Sequence, residues 1–446
     1  MTHSGFNPKT EVAIQKETKS TKKEGVGTFV RVIFQTVSLR GERLLPSLPW
    51  LPYVNPVSEF GSQVSPLLIF FSLLGFALNL FATERKLVYQ EIGPGIEYAN
   101  EFVRDVPWSI HVVKINRKRS DLKLITTLAE GEIFGLASLP EQINSVPPQI
   151  GQAVAGINGD FFLMATRPYQ GDPRGLQIIN GELVSAPGSE VCFWLEGSRP
   201  KIGKVISKFK VTWPDGTETP IGLNEGRSEN ETVLLTPTLG PSTRTTNGVE
   251  LILERAGWQW LPLRAGKNYS VRVREIAGTN TPLAPDFLIL SLGPGVLFPE
   301  VKTGMKLKIS TATFPDLSKV QTAIGGGPML VHDGEIPIRQ PGAHMTAHAK
   351  ERNPRTAFGW NDSNYFFVVV DGRRKNVSLG MSFRELAVEM AALGCKEAMN
   401  LDGGGSSTIW AGGKVLNQPS DNHDRSGANA LICVVKIIRG KGHGRY

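Results

Sequence analysis

The stretch FFVVVDGRRKNVSLGMSFRELAVEMAALGCKEAMNLDGGGSS, Phe366 to Ser407, constrains this chain more than any other. It reads as strand, loop, amphipathic helix, strand. Leu386, Met390 and Leu393 fall on one helical face, Ser382 can cap the N-terminus with Glu385 at the capping-box position, and Gly394 can close the C-terminus. A β-α-β unit of this kind is expected to cross over right-handed and to leave its two strands parallel. Asp371 and Asp402 then lie at the carboxyl ends of those strands, on one edge of the sheet, where ligands bind in open α/β sheets. The expected fold class is therefore α+β, a mixed β-sheet core with a β-α-β crossover near the C-terminus.

Between Ser189 and Val320 the pattern changes to strand and turn alone, as in KVISKFKVTW, VELILERA and YSVRVREI. Short linkers and the lack of a low-complexity spacer favour a β-rich layer within one domain over a separate unit. With 48 glycines and 30 prolines in 446 residues, many turns are expected. The N-terminal part differs. Residues 1–63 are polar and Lys-rich, without periodicity, and read as a disordered basic tail. Residues 64–83 contain an uncharged apolar run, Ser65 to Ala82, near the length of a spanning helix. The basic stretch before it favours an N-terminus held in the cytoplasm. The expectation is a signal anchor, a transmembrane helix, or a long signal peptide, with membrane contact through residues 65–82. Residues 84–446 would then be extracytoplasmic, either membrane-anchored or secreted.

The net charge of +8 is spread among interleaved acids, and no arginine stripe or nucleic-acid motif is present, so no nucleic-acid partner is expected. Cys192, Cys395 and Cys433 lack metal-ligand spacing. Cys395 and Cys433 read as small core residues, and one disulfide is compatible with an oxidising compartment. His344 and His348 stand four apart, but Pro341, Gly342 and Pro354 argue against a helix there and no zinc site is assigned.

Several apolar stretches end in Asp-Gly or Asn-Gly. VHDGEI and WPDGTE read as hairpin turns. AVAGINGDFF, FFVVVDGRR and EAMNLDGGGSS are less ordinary. Walker A, dinucleotide-binding and nucleophile-elbow signatures are absent, and neither GGGP nor DGGGSS has the ending of a phosphate loop. What remains is a polar, glycine-lined set: Asn158 with Asp160, Arg352 with Arg355, Asp371 with Arg373, Asp402 with Ser406 and Ser407, and Asp421 with Arg425. Arginine forks match phosphate oxygens, and glycine turns offer amides without bulk. Carboxylates beside them can bind sugar hydroxyls, act at an anomeric carbon or hold a divalent cation.

INGDFF, GGGPMLVHDG, RNPRTAFGW, VVVDGR, GMSFRELAVEMAALGCKEAMNLDGGGSSTIW and VLNQPSDNHDRSGANAL, in this order, resemble the phosphodiester glycosidase family over about residues 105–436. The resemblance implies a glycoside hydrolase acting on a phosphorylated glycan or envelope polymer, cleaving a sugar 1-phosphodiester at the anomeric C–O bond. It places Asn158, Asp160, Arg355, Asp371, Asp402 and the turn Gly403, Gly404, Gly405, Ser406, Ser407 in the site. On this reading Arg355 and the turn amides hold the phosphate, Asp402 or Asp160 is nucleophile or base, and Arg425 and Asn158 position the substrate. The sequence names no certain cofactor and leaves a divalent cation open. Two alternatives stand beside it: a metal-dependent phosphodiesterase using Asp160, Asp371 and Asp402 as ligands and breaking P–O, and a non-catalytic phosphoglycan-binding module.

Overall fold

Strand Asn364–Val370 shows how the centre of the molecule is built. In the computed structural model, which describes residues 87–131, 133–188, 191–337 and 349–436, its side chains alternate between two apolar layers. Phe367 and Val369 pack with Val113, Phe358, Met399, Ile157, Leu431 and Phe193, whereas Phe366, Val368 and Val370 pack with Phe383, Leu386 and Met390 of helix Phe383–Ala392. A strand covered on both faces must be apolar throughout, which accounts for its run of aromatic and β-branched residues. Each such fully buried side chain contributes roughly 1.5–3 kcal/mol.

The strand belongs to a seven-stranded sheet in which every neighbouring pair is antiparallel. Two five-stranded sheets and an eight-stranded sheet complete the described architecture. The eight-stranded sheet takes most of the region read as a β-rich layer, while that region's first two strands, Val191–Glu196 and Arg199–Lys204, join a five-stranded sheet. Along strand Asn268–Ala277, Tyr269, Val271 and Val273 face the core while their neighbours are exposed, the alternation of a sheet wetted on one side. All described residues fall in one compact unit, Glu84–Tyr446.

The α+β expectation is corrected. Among the described residues there are 25 strands and only two α-helices, Leu139–Asn144 and Phe383–Ala392, so the fold is mostly β. The local pattern around the second helix is present, with Ser382 and Glu385 forming a full capping box and Gly394 at φ +78° just past the end. The strands it joins do run the same way, but Arg355–Trp360 is inserted between them, antiparallel to both. The sheet is therefore not an open α/β sheet. Periodicity within a 40-residue window cannot reveal a strand that enters from outside it.

The membrane expectation is corrected as well. Among the described residues no helix is long and apolar enough to cross a membrane. The run Ser65–Ala82, on which the transmembrane helix and signal anchor rested, lies outside the described residues, as do the tail 1–63, His344 and His348. Cys192, Cys395 and Cys433 are all buried and free, so no disulfide forms.

Candidate functional site

Two carboxylates meet where separate sheets end. Strand Gln152–Asn158 of a five-stranded sheet runs into Gly159 and Asp160, and strand Glu397–Asn400 of the seven-stranded sheet runs into Leu401 and Asp402. The two ends are tied together by backbone: the Asp402 amide donates to Gly159 O at 2.9 Å. Buried Asn158 adds a second tie, its Nδ2 donating to Asp402 O at 2.7 Å while its Oδ1 accepts from Thr356 Oγ1 at 2.7 Å and the Thr408 amide at 3.1 Å. On the other side, the Asp160 amide donates to Asn429 Oδ1 at 2.7 Å. Asn158 thus fixes the backbone that carries Asp402.

Asp160 and Asp402 both line a cavity of about 1200 Å³ whose walls also include Asp172, Arg174, Glu225, Glu231 and Arg425. Gly175 and Gly325 make room for the first carboxylate, since a Cβ there would stand 2.6 and 2.3 Å from Asp160 Oδ2. The Asp402 side chain is partly exposed at the cleft wall yet densely surrounded. Desolvation pushes its pKa up to about 6, against the Ser406 hydroxyl, the Gly403 amide and Arg425, which hold it down.

The glycine turn works differently from the sequence expectation. Four of its five amides are spent inside the protein: Gly403 N donates to Asp402 Oδ1, Gly404 N to Pro354 O, Ser406 N to Gly403 O and Ser407 N to Gly404 O. Of residues 402–407, Asp402 alone lines the cavity. The glycines serve close approach. A Cβ at Gly403 would stand 2.8 Å from Pro354 O, Gly404 sits at φ +62°, and a Cβ at Gly405 would meet Asp421 Oδ2 at 2.2 Å and an Arg425 guanidinium nitrogen at 2.3 Å. Ser406 and Ser407 are buried beneath.

Arg355 and Asp371 also lie behind the cleft. The buried Arg355 guanidinium donates to Met381 O at 2.8 Å and Glu351 O at 2.9 Å and stacks over Phe383 with its carbon 4.0 Å from the ring centre. Desolvation lowers its pKa to about 10, with Glu351 opposing and Arg373 assisting. Buried Asp371 accepts from Asn417 Nδ2 at 3.2 Å and the Gln418 amide at 3.1 Å and lies 3.2 Å from His111 Nε2. Asn417 in turn donates to Ser407 O at 2.9 Å, so Asp371 steadies the turn that carries Asp402. Arg425, by contrast, is at the cleft, paired with Asp421 at 2.5 Å.

Asp172 and Arg174 are the residues that sequence reasoning missed. They return to the cleft through an excursion of the chain after Asp160, closed by Leu163 N donating to Asp172 O and Arg174 N to Phe161 O, both at 2.9 Å. Nothing in QGDPRG marks it beyond turn-forming residues. Arg174 is exposed on the cleft wall and has no ion-pair partner among the described residues.

Residues 288–434 match the phosphodiester glycosidase family. The match agrees with the resemblance carried by the motifs. The fold is similar to that of a hypothetical protein from Synechocystis, at TM-score 0.64 and 20% identity over 79% of this chain; this chain spans 64% of that one. A protein of Burkholderia pseudomallei K96243 is similar at TM-score 0.55 and 21% identity, covering 74% of each chain. The catalytic domain of zebrafish N-acetylglucosamine-1-phosphodiester alpha-N-acetylglucosaminidase, auto-inhibited by its pro-peptide, aligns at TM-score 0.40 and 14% identity over 78% of this chain and 86% of that one. A comparison with curated proteins gave no match.

Proposed function

We propose that this chain hydrolyses a sugar 1-phosphodiester at the anomeric C–O bond, in the cleft between Asp160 and Asp402. The observation that carries the reading is the lining of that cleft, where two carboxylates from different sheets face one cavity with the arginines Arg174 and Arg425. Asp402, ionised above about pH 6, takes a proton from water as it attacks the anomeric carbon. Asp160, seated between Gly175 and Gly325, receives a sugar hydroxyl. Arg174 and Arg425 face the phosphate and balance its charge as it departs.

The metal-dependent alternative needs Asp371 beside Asp160 and Asp402, and Asp371 is occupied by His111, Asn417 and Gln418. Among the described residues, the one group of three side chains with ligand atoms close together is His332, Asp333 and Glu397, outside the cleft. A mass-resolved screen of the full chain against sugar 1-phosphodiesters tests the proposal. Free sugar and phosphate monoester should appear with the wild type and not with Asp402→Asn. Binding without product would contradict it and leave a phosphoglycan-binding module.

A further inference from the structure

Asp172 is an acid in the cleft that the reaction above does not yet use. Its main chain is fixed on both sides, the amide donating to Tyr169 O at 3.2 Å and the carbonyl accepting from Leu163 N at 2.9 Å. Tyr169 is anchored in turn, its hydroxyl donating to Thr243 O at 2.5 Å. The side chain lines the same cavity as Asp160 and Asp402, and its Oδ1 is buried without a hydrogen-bond partner. An ionised carboxylate left so would pay a large desolvation cost, whereas a protonated one has a hydrogen to give to whatever enters the cleft.

We propose that Asp172 is the proton donor of this cleft, delivering its hydrogen to the bridging oxygen of the bound phosphodiester. The proposal rests on the reading of the cleft as a sugar 1-phosphodiester hydrolase. As the C1–O bond breaks, its electron pair goes to the phosphate oxygen, which takes the Asp172 proton. The water oxygen bonds to C1, and the proton it loses goes to Asp402. Sugar and phosphate monoester leave, and the proton gained by Asp402 replaces the one lost by Asp172 through solvent. A protonated Asp172 also removes one negative charge from a wall that carries Asp160, Glu225, Glu231 and Asp402, which otherwise repels an anionic substrate.

The surroundings agree with that protonation state. Burial, helped by the charges of Glu225 and Asp160 and opposed by Arg174, pushes the Asp172 pKa up to about 8. Asp402 sits at about 6. Two carboxyls whose environments set their pKa values apart divide into a base and an acid.

The test is the pH dependence of kcat/KM for the full chain on a sugar 1-phosphodiester. The wild type should show an acid limb near pH 6 and an alkaline limb near pH 8. Asp172→Asn, isosteric with the protonated acid, should lower the rate at least about tenfold and lose the alkaline limb while keeping the acid limb. Melting temperature at pH 6 checks the fold. Glu225→Gln is the second variant, leaving Asp172 in place; removal of its charge should move the alkaline limb to lower pH. An active wild type whose alkaline limb is unchanged in both variants would overturn the proton-donor role and leave the hydrolase reading standing. A wild type without turnover at any pH would overturn both.

Discussion

Asp371 and Asp402 begin alike and end differently. Each follows a strand of the same sheet, the two strands run in the same direction, and each is succeeded by glycine. At Asp371, strand Trp108–Asn116 brings His111 over the carboxylate, and the 417–418 segment supplies two donors. At Asp402 the Gly403 amide occupies one oxygen at 2.9 Å, the Ser406 hydroxyl also acts on the carboxyl, and the side chain borders the cavity. The residue and its local motif do not decide between a carboxylate enclosed by partners and one that borders a cavity. What packs onto it does.

The largest expected effect breaks the comparison at the carboxylate that borders the cavity. Asp402→Asn should lower kcat/KM about 10³-fold, the scale of a lost general base, with ligand binding and melting temperature nearly unchanged. Retained activity would make Asp402 another Asp371. The complementary change, Asp371→Asn, should cost stability instead, about 1–3 kcal/mol for loss of a charged acceptor with three partners, read as a lower denaturant midpoint. A large loss of kcat with full stability would place Asp371 in the chemistry.

A gentler change probes the turn. Gly405 lies at a φ outside the left-handed region, so alanine there does not strain the backbone, but its methyl would displace the Arg425 and Asp421 side chains. Gly405→Ala should raise KM about tenfold, or roughly 1.4 kcal/mol, with kcat less affected. Unchanged KM would separate Arg425 from substrate. The smallest effect concerns stability and pH. The folded chain holds the Asp172 proton up to about pH 8, well above the ordinary 3.8, so the native state binds it more tightly than the unfolded chain. Its contribution is full below about pH 4 and is lost as pH rises through 8. Asp172→Asn should therefore flatten the fall in melting temperature between pH 6 and 9, and an unchanged slope would show an Asp172 already ionised.

Much of the candidate cleft was legible because it is carried by short, unusual runs. INGD and LDGGGSS hold the two carboxylates that line the cavity and Asn158, which ties them, and Ser382 and Glu385 announce the helix that covers the sheet. The roles were less legible. Glycines read as amide donors proved to be points of close approach to Pro354 and to the Arg425–Asp421 pair. Arg355, read as a phosphate fork, meets backbone carbonyls and Phe383. Both depend on contacts between segments distant in sequence, as does the strand inserted beside Glu397–Asn400, and no local pattern encodes them. Asp172 was invisible for the same reason: only the fold returns it to the cavity.

The central claim, cleavage between the anomeric carbon and the phosphate oxygen, is tested most directly by turnover of a sugar 1-phosphodiester in ¹⁸O-labelled water. The account predicts one label in the hydroxyl of the released sugar and none in the phosphate monoester. Label in the phosphate would show P–O cleavage and contradict it.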